Sequence, residues 1–175
     1  MMQKYKGKLD DFFRWVKGTE LVELQDIDVA EDPVRPSLDL AFRTEYGRKI
    51  YGLQYENNIE GIVCVAFTSE VPTTEKELEL MSKLSSMENN PTIAIAYTVW
   101  SRKRGAGREI ILKLKAFIDK EMPHIERVVT LSPITPMATH FHIKNGAKLI
   151  SVNETTQNFE YKVIKNKKYL SLIHI

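Results

Sequence analysis

The run "TIAIAYTVW" alternates small and large residues, passes at Ser101 into "SRKRGAG", and continues as "REIILKLKAFIDKEM". Apolar period two thus gives way to period 3.6 across a turn that holds two glycines. Residues 92–122 are therefore predicted to form a strand, a tight turn and a helix. The core face of that helix carries Ile110, Ile111, Leu114, Phe117 and Ile118. A second strand-to-helix alternation follows. "ERVVTLSPI" reads as a strand. "TPMATHFHIKNGA" reads as a short helix with Thr135 as N-cap, Pro136 at its first position and Gly146 as terminator. "KLISVN" and "QNFEYKVI" make a closing strand pair.

The first half supplies different material. "LDDFFRWVKG" predicts a short amphipathic helix, and "VAEDPVRPS" a proline-punctuated loop. "LDLAFRTEYG", "RKIYGLQYE" and "IEGIVCVAFTSE" read as strands of a meander with a turn at "ENNIEG". "PTTEKELELMSKLSSM" predicts a helix opened by a Thr74–Glu77 capping box, with Leu80 and Leu84 at helical spacing. The expected architecture is α/β: a mixed, mostly antiparallel sheet flanked by helices on both faces. Its 175 residues suit one domain, residues 1–165. The apolar tail, 166–175, has no evident pairing partner and is read as non-native.

A net charge of +2 is too mild to imply a polyanion partner, so any anion site must be local. One cysteine, Cys64, excludes both an internal disulfide and a cysteine-based zinc site, and no metal is expected. No signal-peptide core and no membrane-spanning run is evident, and a cytoplasmic setting is expected.

The glycine turn has the physics of an anion trap. Amides at a helix start lack intrahelical partners, and the helix dipole adds partial positive charge. Gly105, Ala106 and Gly107 would let a phosphate approach the backbone, and Arg102, Lys103, Arg104 and Arg108 would surround it with cations. The P-loop and dinucleotide patterns are both absent. A solvated basic loop and a nucleic-acid patch are the alternatives. No aromatic stacking platform flanks the cations, so no nucleic-acid partner is expected.

Residues 102–107 resemble the pyrophosphate-binding motif of the GCN5-related N-acetyltransferases, the GNAT superfamily: Gln or Arg, two residues, Gly, one residue, Gly or Ala. In that superfamily a later helix carries Ala, three residues, Tyr, three residues, Gly, and here Ala138, His142 and Gly146 stand at those spacings. The resemblance implies coenzyme A thioester binding, with His142 in the place of the tyrosine that acts as general acid. "FHIKNGA" and "TLSPI" are similar to the C-terminal, GNAT-like domain of malonyl-CoA decarboxylase, as are "VCVAFTSEVP", "AYTVWS", "EMPHIERVVTLSPI" and "NFEY". There the histidine is catalytic and is partnered by a strand serine, whose matching position here is Thr98.

Two reactions follow from the resemblance. The first is acetyl transfer from acetyl-CoA to a small-molecule or protein amine, with the backbone N–H of Val99 as an oxyanion donor and His142 as general acid. The second is decarboxylation of malonyl-CoA using His142 and Thr98. A non-catalytic CoA-binding module is a third reading. No carboxylate stands out as an amine-deprotonating base: Glu45, Glu56 and Glu70 lie at expected strand ends. Alternation along residues 93–100 puts Ile93, Ile95, Tyr97 and Val99 on one face, and Ala94, Ala96, Thr98 and Trp100 on the other, where a pantetheine arm could lie. Met137 and Phe141 read as core and His140 as surface. Exposed strand edges are compatible with a homodimer.

Overall fold

The computed structural model describes residues 18–163. The expected first helix, apart from Gly18, and the tail lie outside the described residues, as do the ends of the expected domain. Eight strands form one mixed sheet: β1 (Glu20–Leu24), β2 (Lys49–Tyr55), β3 (Asn58–Thr68), β4 (Ile93–Ser101), β5 (Arg127–Thr130), β6 (Ser132–Pro133), β7 (Lys148–Val152) and β8 (Thr156–Tyr161). Their order is β1-β2-β3-β4-β5-β8-β6, and β7 pairs with β8. Among the described residues only β4 and β5 run parallel; the other pairs are antiparallel. The helices are α1 (Leu40–Thr44), α2 (Glu75–Glu88), α3 (Ala106–Glu121) and α4 (Pro136–Lys144). A 3-10 turn covers Val29–Glu31.

The sheet separates two cores. One packs Ile110, Ile111, Leu114 and Ile118 of α3 against Val63, Val65, Ala94 and Ala96. The other packs Leu78 of α2, with Leu40 and Phe42 of α1, against Ile50, Ile62, Cys64 and Ile95. Each fully buried Leu or Ile contributes roughly 2 kcal/mol through loss of apolar surface to water. The close seat of α3 depends on Gly61, where an added Cβ would lie 3.3 Å from both the Cβ and the carbonyl oxygen of Ala106.

Several expectations are corrected. "LDLAFRTEYG" is not a strand. Asp39 caps α1 by accepting from the Phe42 amide, and Arg43 and Phe42 turn inward from that short helix. The capping box at α2 is half formed: Thr74 Oγ1 accepts from the Glu77 amide, but the Glu77 carboxylate reaches the Thr73 hydroxyl instead of Thr74. Leu80 and Leu84 do stand on a helix, but they are 56% and 46% exposed, and α2 buries Leu78, Ser82 and Ser85. A buried cation sets that choice of face. Arg48, 2% exposed, donates to the Ser82 hydroxyl at 2.8 Å, to the Phe42 carbonyl at 3.0 Å and to the Glu79 carbonyl at 3.1 Å, and lies over the Phe42 ring. Arg48→Ala should strand these buried acceptors and cost about 3 kcal/mol. Urea denaturation would read this as a lower midpoint at an unchanged m-value.

Candidate functional site

The first half of β4 runs beside β5 from Ile93↔Arg127 to Ala96↔Thr130, and the two then separate. Two local events cause the separation. "ERVVTLSPI" breaks at Leu131 into β5 and β6, where the parallel ladder ends with the Leu131 amide on the Ala96 carbonyl at 3.2 Å. On the other side β4 bulges: Cys64 pairs with Thr98 but Val65 with Ala96, so Tyr97 is an extra residue.

The bulge reverses the expected alternation. Tyr97 stays with Ile93 and Ile95 in the core beneath α2, as expected, but Trp100 joins them there, and Thr98, the partner of Cys64, lies on that face. Val99 crosses to the α3 side with Ala94 and Ala96.

The gap between the strands is a cleft of about 620 Å³. Its walls are residues 96–101 of β4, Pro33 and Val34, the Leu131–Pro133 break, Gly107 of α3, and Met137, Ala138, Phe141 and His142 of α4. No Lys, Arg, Asp or Glu is among these lining residues. Met137 is corrected from core to cleft rim, at 83% exposed. Phe141 packs partly buried against the α3 core, and His140 is exposed, as expected.

His142 closes the inner end. Thr135 caps α4 by accepting from the Ala138 amide, and that start aims the helix so that His142 becomes its one buried residue, 5% exposed. Its ring stacks on Phe159 at 5.0 Å and meets Phe141 edge-on at 5.1 Å. Nδ1 lies 2.7 Å from the Tyr161 hydroxyl. Burial pushes its pKa down to about 4, so the imidazole is neutral at pH 7. Burial also raises the Tyr161 pKa, and that hydroxyl keeps its proton.

At the outer end stands the glycine turn. Gly105, with φ of 86°, occupies the left-handed region and is the N-cap of α3, without any side-chain cap. An added Cβ there would meet nothing within 4 Å. The Glu60 carbonyl takes the amides of Arg102 and Lys103, and the Lys103 carbonyl takes that of Ala106. Among the described residues, no backbone acceptor pairs with the amides of Arg104, Gly105, Gly107 or Arg108.

The expected ring of four cations is reduced. Arg102 is committed to Glu31 through Nε and Nη2, the latter at 2.8 Å, and Lys103 reaches Glu60 at 3.5 Å. Arg104 and Arg108 remain exposed beside the turn. Gly107 also departs from expectation. It is buried, and a Cβ there would press on the Phe141 ring at 3.3 Å, so its lack of a side chain serves the α3–α4 approach.

Sequence reasoning missed the segment 29–36, which straps the cleft. Glu31 holds Arg102 and accepts from Trp100 Nε1 at 3.4 Å. Asp32, 1% exposed, accepts from the Thr98 hydroxyl at 2.8 Å, from the amides of Val34 and Arg35 at 2.8 and 3.0 Å, and from Arg43 at 2.8 Å. Burial opposes its charge, yet these donors prevail and hold its pKa below the usual carboxylate range. Arg35 spans the gap itself, donating to the Tyr97 and Leu131 carbonyls, both at 2.9 Å, and pairing with Glu75. The signal for Asp32 was "EDPVRP", an acidic residue before Pro whose side chain can accept from amides two and three residues on. Tyr161 was in view only as the last letter of "NFEY".

No family model matches the sequence, and no curated protein does. The fold is GNAT-like and resembles malonyl-CoA decarboxylase. The Agrobacterium vitis malonyl-CoA decarboxylase superposes with a TM-score of 0.62 at 16% identity, over 87% of this chain and 42% of that one. The chain thus spans about two fifths of that protein's length. GphF, a GNAT-like decarboxylase in complex with isobutyryl-CoA, gives a TM-score of 0.64 at 12% identity, over 83% of this chain and 100% of that one. A Bacillus subtilis acetyltransferase in complex with CoA gives 0.53 at 10% identity, over 83% and 98%. Among the described residues no helix is long and apolar enough to cross a membrane.

Proposed function

We propose that the chain is an enzyme acting on an acyl-coenzyme A, with the diphosphate on the turn at 104–108 and the acyl end in the cleft, and that it decarboxylates a malonyl-type acyl group. The coenzyme is supported by the free amides at the start of α3 and by fold neighbours solved with CoA or an acyl-CoA. One observation carries the reaction: the cleft lining has no charged side chain, and its histidine is held neutral.

Transfer to an amine requires a group that takes the amine's proton. His142 is too weak a base for that, and Asp32 sits behind Thr98 with its pKa held below the usual carboxylate range. Decarboxylation needs no base. A carboxylate bound without a cation is poorly solvated, and it loses its charge by leaving as carbon dioxide. The carbon–carbon bond breaks and its electron pair moves to the thioester oxygen as an enolate. A neutral imidazole N–H from His142 and the backbone N–H of Val99 stabilise that oxygen. A water gives a proton to the α-carbon, and the resulting hydroxide combines with carbon dioxide as bicarbonate.

Acyl transfer is the second reading, and one contact favours it. Thr98 gives its proton to Asp32, so its oxygen is free to accept an N–H from an amine. Malonyl-CoA incubated without any acceptor separates the two. Acetyl-CoA and bicarbonate are expected. Thiol release seen only with acetyl-CoA and an added amine would replace decarboxylation by transfer.

A further inference from the structure

Thr98 has one proton and two lone pairs, and an ionised carboxylate can only accept. The Asp32 carboxylate is fixed before any ligand arrives. Two amides of its own loop hold Oδ1 and the fully buried Arg43 holds Oδ2. Arg43 is itself anchored by the Leu38 and Arg35 carbonyls, at 3.1 and 2.8 Å. The Thr98 hydroxyl therefore meets an immobile acceptor at 2.8 Å, on the side of β4 away from α3. Meanwhile Thr98 lines the cleft.

We propose that Asp32 is a positioning residue: by taking the only proton of Thr98, it makes that hydroxyl face a bound acyl-CoA as a hydrogen-bond acceptor. Thr98 does not donate to the enolate. It accepts one hydrogen of the water that protonates the α-carbon, and leaves the other hydrogen aimed at carbon. In that step the water's O–H bond breaks, a C–H bond forms, and hydroxide is left to carbon dioxide. The tyrosine behind His142 and the aspartate behind Thr98 thus give the two sides of the cleft opposite polarity, donor on α4 and acceptor on β4. This rests on the acyl-CoA reading of the cleft, and the strap 29–36 becomes part of the site instead of a connecting loop.

Two measurements test it. Neutron diffraction from deuterium-exchanged crystals should find the Thr98 deuteron between Oγ1 and Asp32. A deuteron pointing into the cleft would overturn the proposal whatever the chain's activity. In kinetics with malonyl-CoA, Asp32→Asn should lower kcat at least tenfold with KM within twofold. In a Thr98→Val background the same change should lower kcat no further, because the hydroxyl it orients is gone. An equal loss in both backgrounds would mean that Asp32 only supports the fold, and an unchanged kcat would also sink the idea. If Asp32→Asn fails to fold because Arg43 is left unpaired, Asp32→Asn with Arg43→Gln removes both charges and is read against an Arg43→Gln control by the same criteria. A wild-type chain that turns over no acyl-CoA would refute the acyl-CoA reading alone; the deuteron then decides the role of Asp32.

Discussion

His142→Phe should abolish turnover of malonyl-CoA, at least a thousandfold in kcat, while CoA itself binds as before. Removing a positioned donor from a developing oxyanion costs about a hundred- to a thousandfold. Here the loss is compounded because phenylalanine sets an apolar ring edge against that oxygen and leaves it the Val99 N–H alone. Phenylalanine keeps an aromatic ring between Phe141 and Phe159, so the packing there is conserved in kind. Isothermal titration with CoA and a steady-state assay separate the two effects. Retained turnover would remove the imidazole from the chemistry.

The same variant has a second signature in stability. The folded pKa of His142 is about 4 and its ordinary value is 6.5, so between those limits the unfolded chain binds more protons than the native one. The neutral imidazole is therefore tolerated above pH 6.5, and stability is lost as pH falls from 6.5 toward 4, by about 3 kcal/mol across the window. In His142→Phe that contribution to the acid limb disappears, and its stability should fall less steeply over the same range. Denaturation at pH 7 and pH 4.5 for both chains checks it. Parallel acid limbs would mean that the imidazole is better solvated than its surroundings imply.

Gly105→Val should weaken CoA binding at least tenfold, with little change in the reaction of whatever still binds. At φ of 86° an L-residue pays about 1–2 kcal/mol, and a β-branched one pays more, so the turn will leave this conformation. The amides of Arg104, Gly105, Gly107 and Arg108, which have no backbone acceptor among the described residues, then shift with it. The space beside Gly105 is open, so the effect comes from backbone strain and from obstruction of a bound phosphate, with no clash inside the protein. Comparing CoA with pantetheine, which lacks the diphosphate, isolates the turn. Equal weakening for both would move the defect elsewhere.

Much of the architecture was legible because it rests on local periodicity. Residues 107–122 carry a clean 3.6 pattern, and Ile110, Ile111, Leu114 and Ile118 are buried where that pattern puts them. Thr135, Pro136 and Gly146 delimit α4 because cap and terminator chemistry acts within one turn of chain. What stayed hidden depends on partners far away in sequence. The inward face of α2 is chosen by Arg48, 34 residues before Ser82. Arg102 looked like a phosphate ligand because Glu31, 71 residues earlier, could not be seen to claim it. Asp32 and Thr98 are 66 residues apart, and nothing local to either joins them. His142 was legible by spacing, whereas its neutrality follows from the stacking of Phe159 and the depth of the cleft.

Tyr97 acts on β4 as a single inserted letter acts on a reading frame. Every position after it is displayed to the opposite side of the sheet from the one its parity implies. Excision of that one residue would close the bulge, because Thr98, Val99 and Trp100 already lie on the faces that plain alternation after Ala96 would give them. A one-codon deletion would thus remove a buried ring from beneath α2 while keeping the hydroxyl of this wall opposite Asp32.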